Sequence, residues 1–405
     1  MTQRERFRRF IEYQRPEDMP LWGDWVGPYD VWVSQGLPPA PARYLAEGGG
    51  GTARYLLDYF EFEGKYSAFW GSGRLPVNIG VAPGFEVEIY EKNENYTIYR
   101  NGEGLTVKEM THKDSSLVTQ QYLDYSLHGS RDWDEFRERN LDPRHPSRYP
   151  ADGEWARIAE ACRGRDWVVT IDGGAFYGYI RNWMSVEGIS YAMCEEPEWI
   201  REVADYLADY YIEVLRRAVT DVPDIDAALF WEDMCYKTGP LCSPAMFREF
   251  FLPGYKKVTK FLRDNGVASF WVDCDGNIDQ LIDLWIEGGV NGFYPLEAAA
   301  GMDAYAIKKK YGDKVLLWGG IDKRAVAAGP DAIDRELERA KKAVELGGYV
   351  PLIDHGVPHD ISFQNFCYYD RRRKEMFGLK PIPLAKPIPL AKPIPLAKPI
   401  ISEKR

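Results

Sequence analysis

Carboxylates recur at the ends of apolar runs in this chain, and their placement defines the chemistry it could do. The run "ASFWVDCDGN" ends with Asp273 and Asp275 on either side of Cys274. Alternate residues of an extended strand point the same way, so both acids can face one space while Cys274 packs behind them as a core thiol. Burying two unpaired carboxylates is costly. Either the pair serves chemistry, as ligands of a divalent cation or as a base of raised pKa, or Asp275 or Asn277 caps the next helix.

Glu232 and Asp233 end the run "AALFWEDM". As chain neighbours they point to opposite sides, so one is expected in a pocket and the other bracing a loop. Glu297, after "YPL", either joins the site or anchors the following turn. His355 stands beside Asp354 after "GYVPLI", and is either structural or a ligand or acid–base group. The catalytic candidates are thus Glu232, Asp233, Asp273 and His355. Asp273, Asp275, Glu297 and His355 together read as one site for a divalent metal or a shared proton. Tyr177, Tyr179, Arg181 and Trp183, in "FYGYIRNWM", read as substrate-pocket lining, with helix packing the alternative for Trp183.

Something must bring these residues together. Each follows a short apolar run, and a helical pattern such as "EEPEWIREVADYLADYYIEVLRRAV" or "GPDAIDRELERAKKAVELG" comes next. Further runs of this kind end near Asp24, Asp172 and Asp322. Short buried strands alternating with helices indicate parallel β/α units. The number of units, and the lack of a GxGxxG after any strand, predict an α/β protein with a single (β/α)8 TIM barrel. The mouth of such a barrel is built from the C-terminal ends of its strands, so Asp172, Glu232, Asp273, Glu297 and His355 are expected at one end.

Two segments read differently. Residues 85–125 alternate apolar and polar side chains around turns at "NEN" and "NGEG", which predicts an N-terminal β-meander forming a wall or lid. From Lys380 the motif "KPIPLA" recurs. Frequent proline favours extended backbone, so residues 380–405 are expected as a Pro-rich low-complexity tail outside a 1–379 domain, adding nothing to the core.

A net charge of -11 argues against nucleic acid or an anionic membrane as partner. The six cysteines form no CxxC pair, which fits a reducing, cytoplasmic setting better than a disulfide framework. The charged N-terminus has no apolar signal stretch, and no window approaches a membrane span.

Several stretches together resemble the uroporphyrinogen decarboxylase superfamily, which includes cobalamin-dependent methyltransferases of methanol, methylamine and aryl-ether metabolism. They are "FWEDMCYKTGPLCSPAMFREFFLPGYKKVTKFLRDNG", "DCDGNI", "GFYPLEAAAGMD", "YGDKVLLWGGID" and "GGYVPLIDHGVPHDISFQNF", in family order within residues 150–377. The opening "RFRRFIEYQRPEDMPLW" and the meander are similar to the methyltransferase-like branch. The resemblance implies a barrel enzyme that moves a methyl group between a small methyl donor or acceptor and a corrinoid (cobalamin), carried on a corrinoid protein partner. Decarboxylation of a tetrapyrrole in porphyrin biosynthesis is the first alternative, and a non-catalytic corrinoid- or small-ligand-binding module the second.

The departures from the family are informative. Where true decarboxylases carry an arginine-rich "RQAGR" that grips substrate carboxylates, this chain reads "WGDWVGPYD". Where the zinc methyltransferases carry His-x-Cys and a later Cys, it has Asp273, Asp275 and, roughly, His355. Any metal here, Zn²⁺ or a harder divalent cation, would therefore have oxygen and imidazole ligands.

Overall fold

A computed structural model describes residues 1–24, 27–46, 51–63, 73–110 and 120–384. The chain opens with helix α1 (Gln3–Tyr13), held by a capping box between Thr2 and Glu5. Strands β1 (Glu88–Lys92), β2 (Tyr96–Arg100), β3 (Thr106–Met110) and β4 (Gln120–Asp124) pair in sequence as an antiparallel meander. The expected 85–125 addition is therefore present as a separate sheet.

The main sheet begins with β5 (Thr170–Gly174), followed by helices α2 (Tyr177–Glu195) and α3 (Pro197–Asp221). Next come β6 (Ala227–Trp231), helix α4 (Leu252–Asp264), β7 (Phe270–Asp273), β8 (Gly292–Leu296) and β9 (Leu316–Ile321). Helix α5 (Pro330–Val344), β10 (Tyr349–Ile353) and helix α6 (Phe363–Phe377) complete the series. Nearly every residue of these strands is buried, as expected where helices cover the outer face of a parallel sheet. Helix α3 shows the matching pattern: Pro197 opens it, and Ile200, Val203, Leu207, Tyr211, Val214 and Ala218 form its buried stripe.

All six strands are parallel, and their spatial order follows their chain order from β5 to β10. A sheet that always winds in one direction is a barrel in the making, whereas a doubly wound sheet reverses its strand order. Both flanks are extended. Arg74 bridges Thr170 in parallel beside β5, and Trp22 bridges Glu63 beyond β10. Asp24 accepts a 2.6 Å hydrogen bond from the Ile353 amide, which ties that flank to β10. Among the described residues, hydrogen bonds do not join the two flanks into a closed ring. Register sets Trp231, Asp273 and Tyr294 side by side at one level of the C-terminal end.

The start of the Pro-rich segment is docked on the barrel. Ile382 accepts from the Gln3 side chain at 2.6 Å and its amide donates to Glu63 at 2.7 Å, while the Lys380 carbonyl accepts from Arg6 at 2.9 Å. The repeats from residue 385 onward lie outside the described residues. No helix among those described is long and apolar enough to cross a membrane.

Candidate active site

The stretch that ends β7 is shaped by its glycine. Gly276 has φ +82°, and a Cβ there would stand 2.7 Å from the carbonyl oxygens of both Cys235 and Tyr236. Only glycine lets the chain turn so close to its neighbour. Asp275 does not cap a helix: the next one starts at Ile282, and Asp275 Oδ1 is shielded from solvent with no hydrogen-bond partner. Asp273 is buried. Cys274 is fully buried, and its Sγ accepts from the Met234 amide at 3.3 Å.

Glu232 and Asp233 part as neighbours must. Glu232 turns away from the mouth and accepts from the Phe176 and Gly178 amides at 2.9 and 2.8 Å and from the Tyr255 hydroxyl at 2.6 Å. Three donors satisfy it, so Glu232, a catalytic candidate from sequence, braces the loop from β5 into α2. Asp233 takes the unusual φ of +40° and turns inward, where its Oδ1 receives the Asp275 amide at 3.4 Å. Left-handed backbone at a residue other than glycine concentrates at functional sites.

Three carboxyls thus share the mouth. Burial pushes Asp273 well above its ordinary value, and the charges of Asp233 and Asp275 push it further. Burial also raises Asp233, opposed chiefly by the Arg181 guanidinium. Asp275 is pushed up to about 7 by burial and by Asp233 and Glu297, with Lys323 pulling the other way. His355 Nε2 lies 3.6 Å from Asp275 Oδ2, and burial together with Lys323 lowers its pKa. Buried carboxyls that raise one another in this way resist ionising together.

Glu297 and Asp354 form a second group that shares one cation. Glu297 accepts from the Gly276 amide at 2.9 Å, Asp354 from the Ala298 amide at 3.1 Å. Lys323 sits between them, 3.8 Å from Glu297 and 3.5 Å from Asp354. Glu297 thus anchors the turn and also faces the site. Among the described residues, no three His, Cys, Asp or Glu side chains converge as a metal cage requires. The quartet Asp273, Asp275, Glu297 and His355 does not fit a resident metal in this arrangement.

Two of the expected lining residues are core. Tyr177 is fully buried against Phe251, and Trp183 packs on Phe136 with ring centroids 5.0 Å apart. The other two face Trp231 at the mouth: the Tyr179 ring at 6.5 Å and the Arg181 guanidinium at 5.2 Å. Tyr294 stacks on Trp318 at 4.6 Å in the same region. Arg74 and Lys323 were not picked out from sequence. Arg74 pairs with Asp172, and its charge is felt by both Tyr179 and Tyr294. Of the remaining strand-end acids, Asp24 braces β10, and Asp322 caps the helix that follows β9.

Residues 182–374 match the profile of uroporphyrinogen decarboxylase (URO-D). That match, over just under half of the chain, supports the resemblance to the uroporphyrinogen decarboxylase superfamily. Among solved structures, a methyltransferase from Methanosarcina mazei matches with a TM-score of 0.58 at 15% identity, covering 93% of this chain and 99% of that one. A B12-independent methionine synthase from Shewanella sp. W3-18-1 matches with a TM-score of 0.34 at 13% identity, over 55% of this chain and 68% of that one. A comparison with curated proteins finds no match. The "WGDWVGPYD" stretch places Asp24 against Ile353 and Arg373; its Trp25 and Val26 lie outside the described residues. The cations near the mouth, Arg74, Arg181 and Lys323, come from other segments.

Proposed function

We propose that the chain is a methyltransferase that moves a methyl group between a small substrate and a corrinoid carried by a partner protein. One observation carries the reading: a carboxyl, Asp275, that holds its proton to about pH 7 at an accessible rim beside His355. A methyl group leaves oxygen, nitrogen or sulfur readily only when that atom gains a proton, and a general acid poised near neutrality supplies it. The corrinoid supplies the nucleophile that accepts the methyl group. As the bond from methyl carbon to heteroatom breaks, its electron pair stays on the heteroatom, which takes the proton of Asp275. His355 then passes a proton from solvent back to the carboxylate. In the opposite direction the Asp275 carboxylate receives the proton of the attacking heteroatom. Burial and the charges of Asp233 and Glu297 keep the Asp275 proton in place, and Tyr179, Trp231 and Tyr294 supply an aromatic wall.

The side chains of Asp275 and His355 are 36% and 40% exposed, so the reacting edge opens outward, as a methyl carrier presented by another protein requires. The fold shared with the M. mazei methyltransferase is compatible with this reading. The test is anaerobic incubation with cob(I)alamin and a panel of methanol, methylamines and methyl aryl ethers, followed by the absorbance of the methylated corrinoid. The expected result is transfer from one donor class, reduced roughly 100-fold or more by Asp275→Asn. No transfer from any donor, or an unchanged rate in the variant, contradicts the proposal.

A further inference from the structure

A cavity of about 180 Å³ lies between the meander and the first half of α2, lined by Asn101, Leu105, Tyr125, Arg181, Asn182 and Ser185 among others. Arg181 gives it its character. Two guanidinium nitrogens, Nε and Nη2, are shielded from solvent and have no hydrogen-bond partner among the described residues. These two nitrogens share one edge of the guanidinium plane, and their N–H bonds run parallel, the geometry that grips both oxygens of a carboxylate. Buried donors left unmet are rare, and each is costly. The other cations at the mouth are committed, Arg74 to Asp172 and Lys323 to Glu297 and Asp354. Ser185, on the cavity wall, holds a left-handed φ of +72° that breaks α2 in two.

We propose that Arg181 is a substrate anchor and that the ligand of this site carries a carboxylate. The identification of the site as catalytic rests on the methyltransferase reading, but the anchor is measured by binding alone, so the two can fail separately. Arg181 is close enough to the mouth for its charge to be a main influence on Asp233, which sets the anchored group next to the reacting edge. A monoanion suits the place better than a phosphate. Glu103 also lines the cavity, and Asp233 lies beyond it, so a second negative charge would meet repulsion. Asn101, Asn182, Ser185 and the Tyr125 hydroxyl offer further polar contacts.

The experiment is calorimetric titration of the full chain with acetate, benzoate and phenylacetate, with benzamide and inorganic phosphate as comparisons. At least one carboxylate is expected to bind, with benzamide and phosphate weaker by roughly tenfold or more. Arg181→Gln is expected to lose roughly tenfold or more in carboxylate affinity, and Arg181→Lys, which keeps the charge but not the edge, to fall between. Thermal unfolding of both variants verifies their folding, and the lysine variant carries the test if the glutamine variant does not fold. Equal binding of benzamide or phosphate, unchanged affinity in the folded variants, or no binding of any carboxylate at about 50 mM overturns the proposal.

Discussion

The two ends of the barrel treat buried charge in opposite ways. At the N-terminal end of the strands, fully buried Asp226 faces Arg8 at 2.6 Å, Arg4 at 3.0 Å and Arg165 at 3.2 Å, and accepts from the Val169 amide at 2.9 Å. One carboxylate there has three guanidinium partners. At the C-terminal end Asp233, Asp273 and Asp275 stand together, while Arg74 and Lys323 are bound to other acids. The first arrangement lowers the free energy of a buried charge; the second leaves it high. Folding gains nothing from the second, so its explanation lies in chemistry.

The same kind of substitution should therefore have opposite effects at the two ends. The largest is expected at Asp226→Ala, which takes away the carboxylate that the buried Arg165, Arg4 and Arg8 share and leaves them only backbone carbonyls. Removing one partner of a buried ion pair costs about 3–5 kcal/mol, so the melting temperature should drop by several degrees while activity per folded molecule is retained. An unaltered melt would break the comparison. At the mouth, Asp273→Asn replaces a carboxyl whose ionisation burial and its neighbours oppose, so unfolding temperature should hold or rise slightly while methyl transfer is lost, because an amide cannot take up or release a proton beside Asp233 and Asp275. A destabilised but fully active variant would place Asp273 in the structural group.

The strand ends were legible in the sequence because a parallel strand is an apolar run that stops where the barrel meets solvent. The runs before Asp172, Glu232, Asp273, Glu297 and Asp354 announced both the elements and the acids. Glu232 and Asp233 could not be told apart, since their directions depend on the left-handed backbone at Asp233, which no residue type announces. Arg74 and Lys323 were invisible for another reason: neither sits in a motif, and only the topology brings them to the mouth. The division of Tyr177 and Trp183 from Tyr179 and Arg181 was equally hidden, because aromatics serve core and pocket alike.

A smaller effect concerns pH. Between the ordinary aspartate range near about pH 4 and about 7, the folded chain keeps a proton on Asp275 that the unfolded chain releases. This group therefore weakens stability progressively as pH rises through that window. His355, with its pKa lowered, acts in the opposite sense as pH falls below about 6.5. Asp275→Asn should raise the melting temperature more at pH 8 than at pH 5, by on the order of 1–2 °C given solvent screening at the rim. An equal shift at both pH values would show that Asp275 ionises normally. The smallest effect is expected far from the mouth: ending the chain after Leu384 should leave the melt almost unchanged. Ending it after Leu379 removes the Ile382 contacts with Gln3 and Glu63 and the Lys380 contact with Arg6, and should cost more. Equal melts for the two truncations would show that the docked segment contributes nothing.

The most direct test of the division between the two ends is the pH dependence of methyl transfer to cob(I)alamin in the parent and in Asp275→Asn. With Asp275 as the general acid, the parent's rate of transfer from donor to corrinoid should decline above pH 7, and the variant should be roughly 100-fold slower and show no such limb. A variant that keeps both the parent's rate and its alkaline decline would contradict a catalytic role for the acids at the mouth.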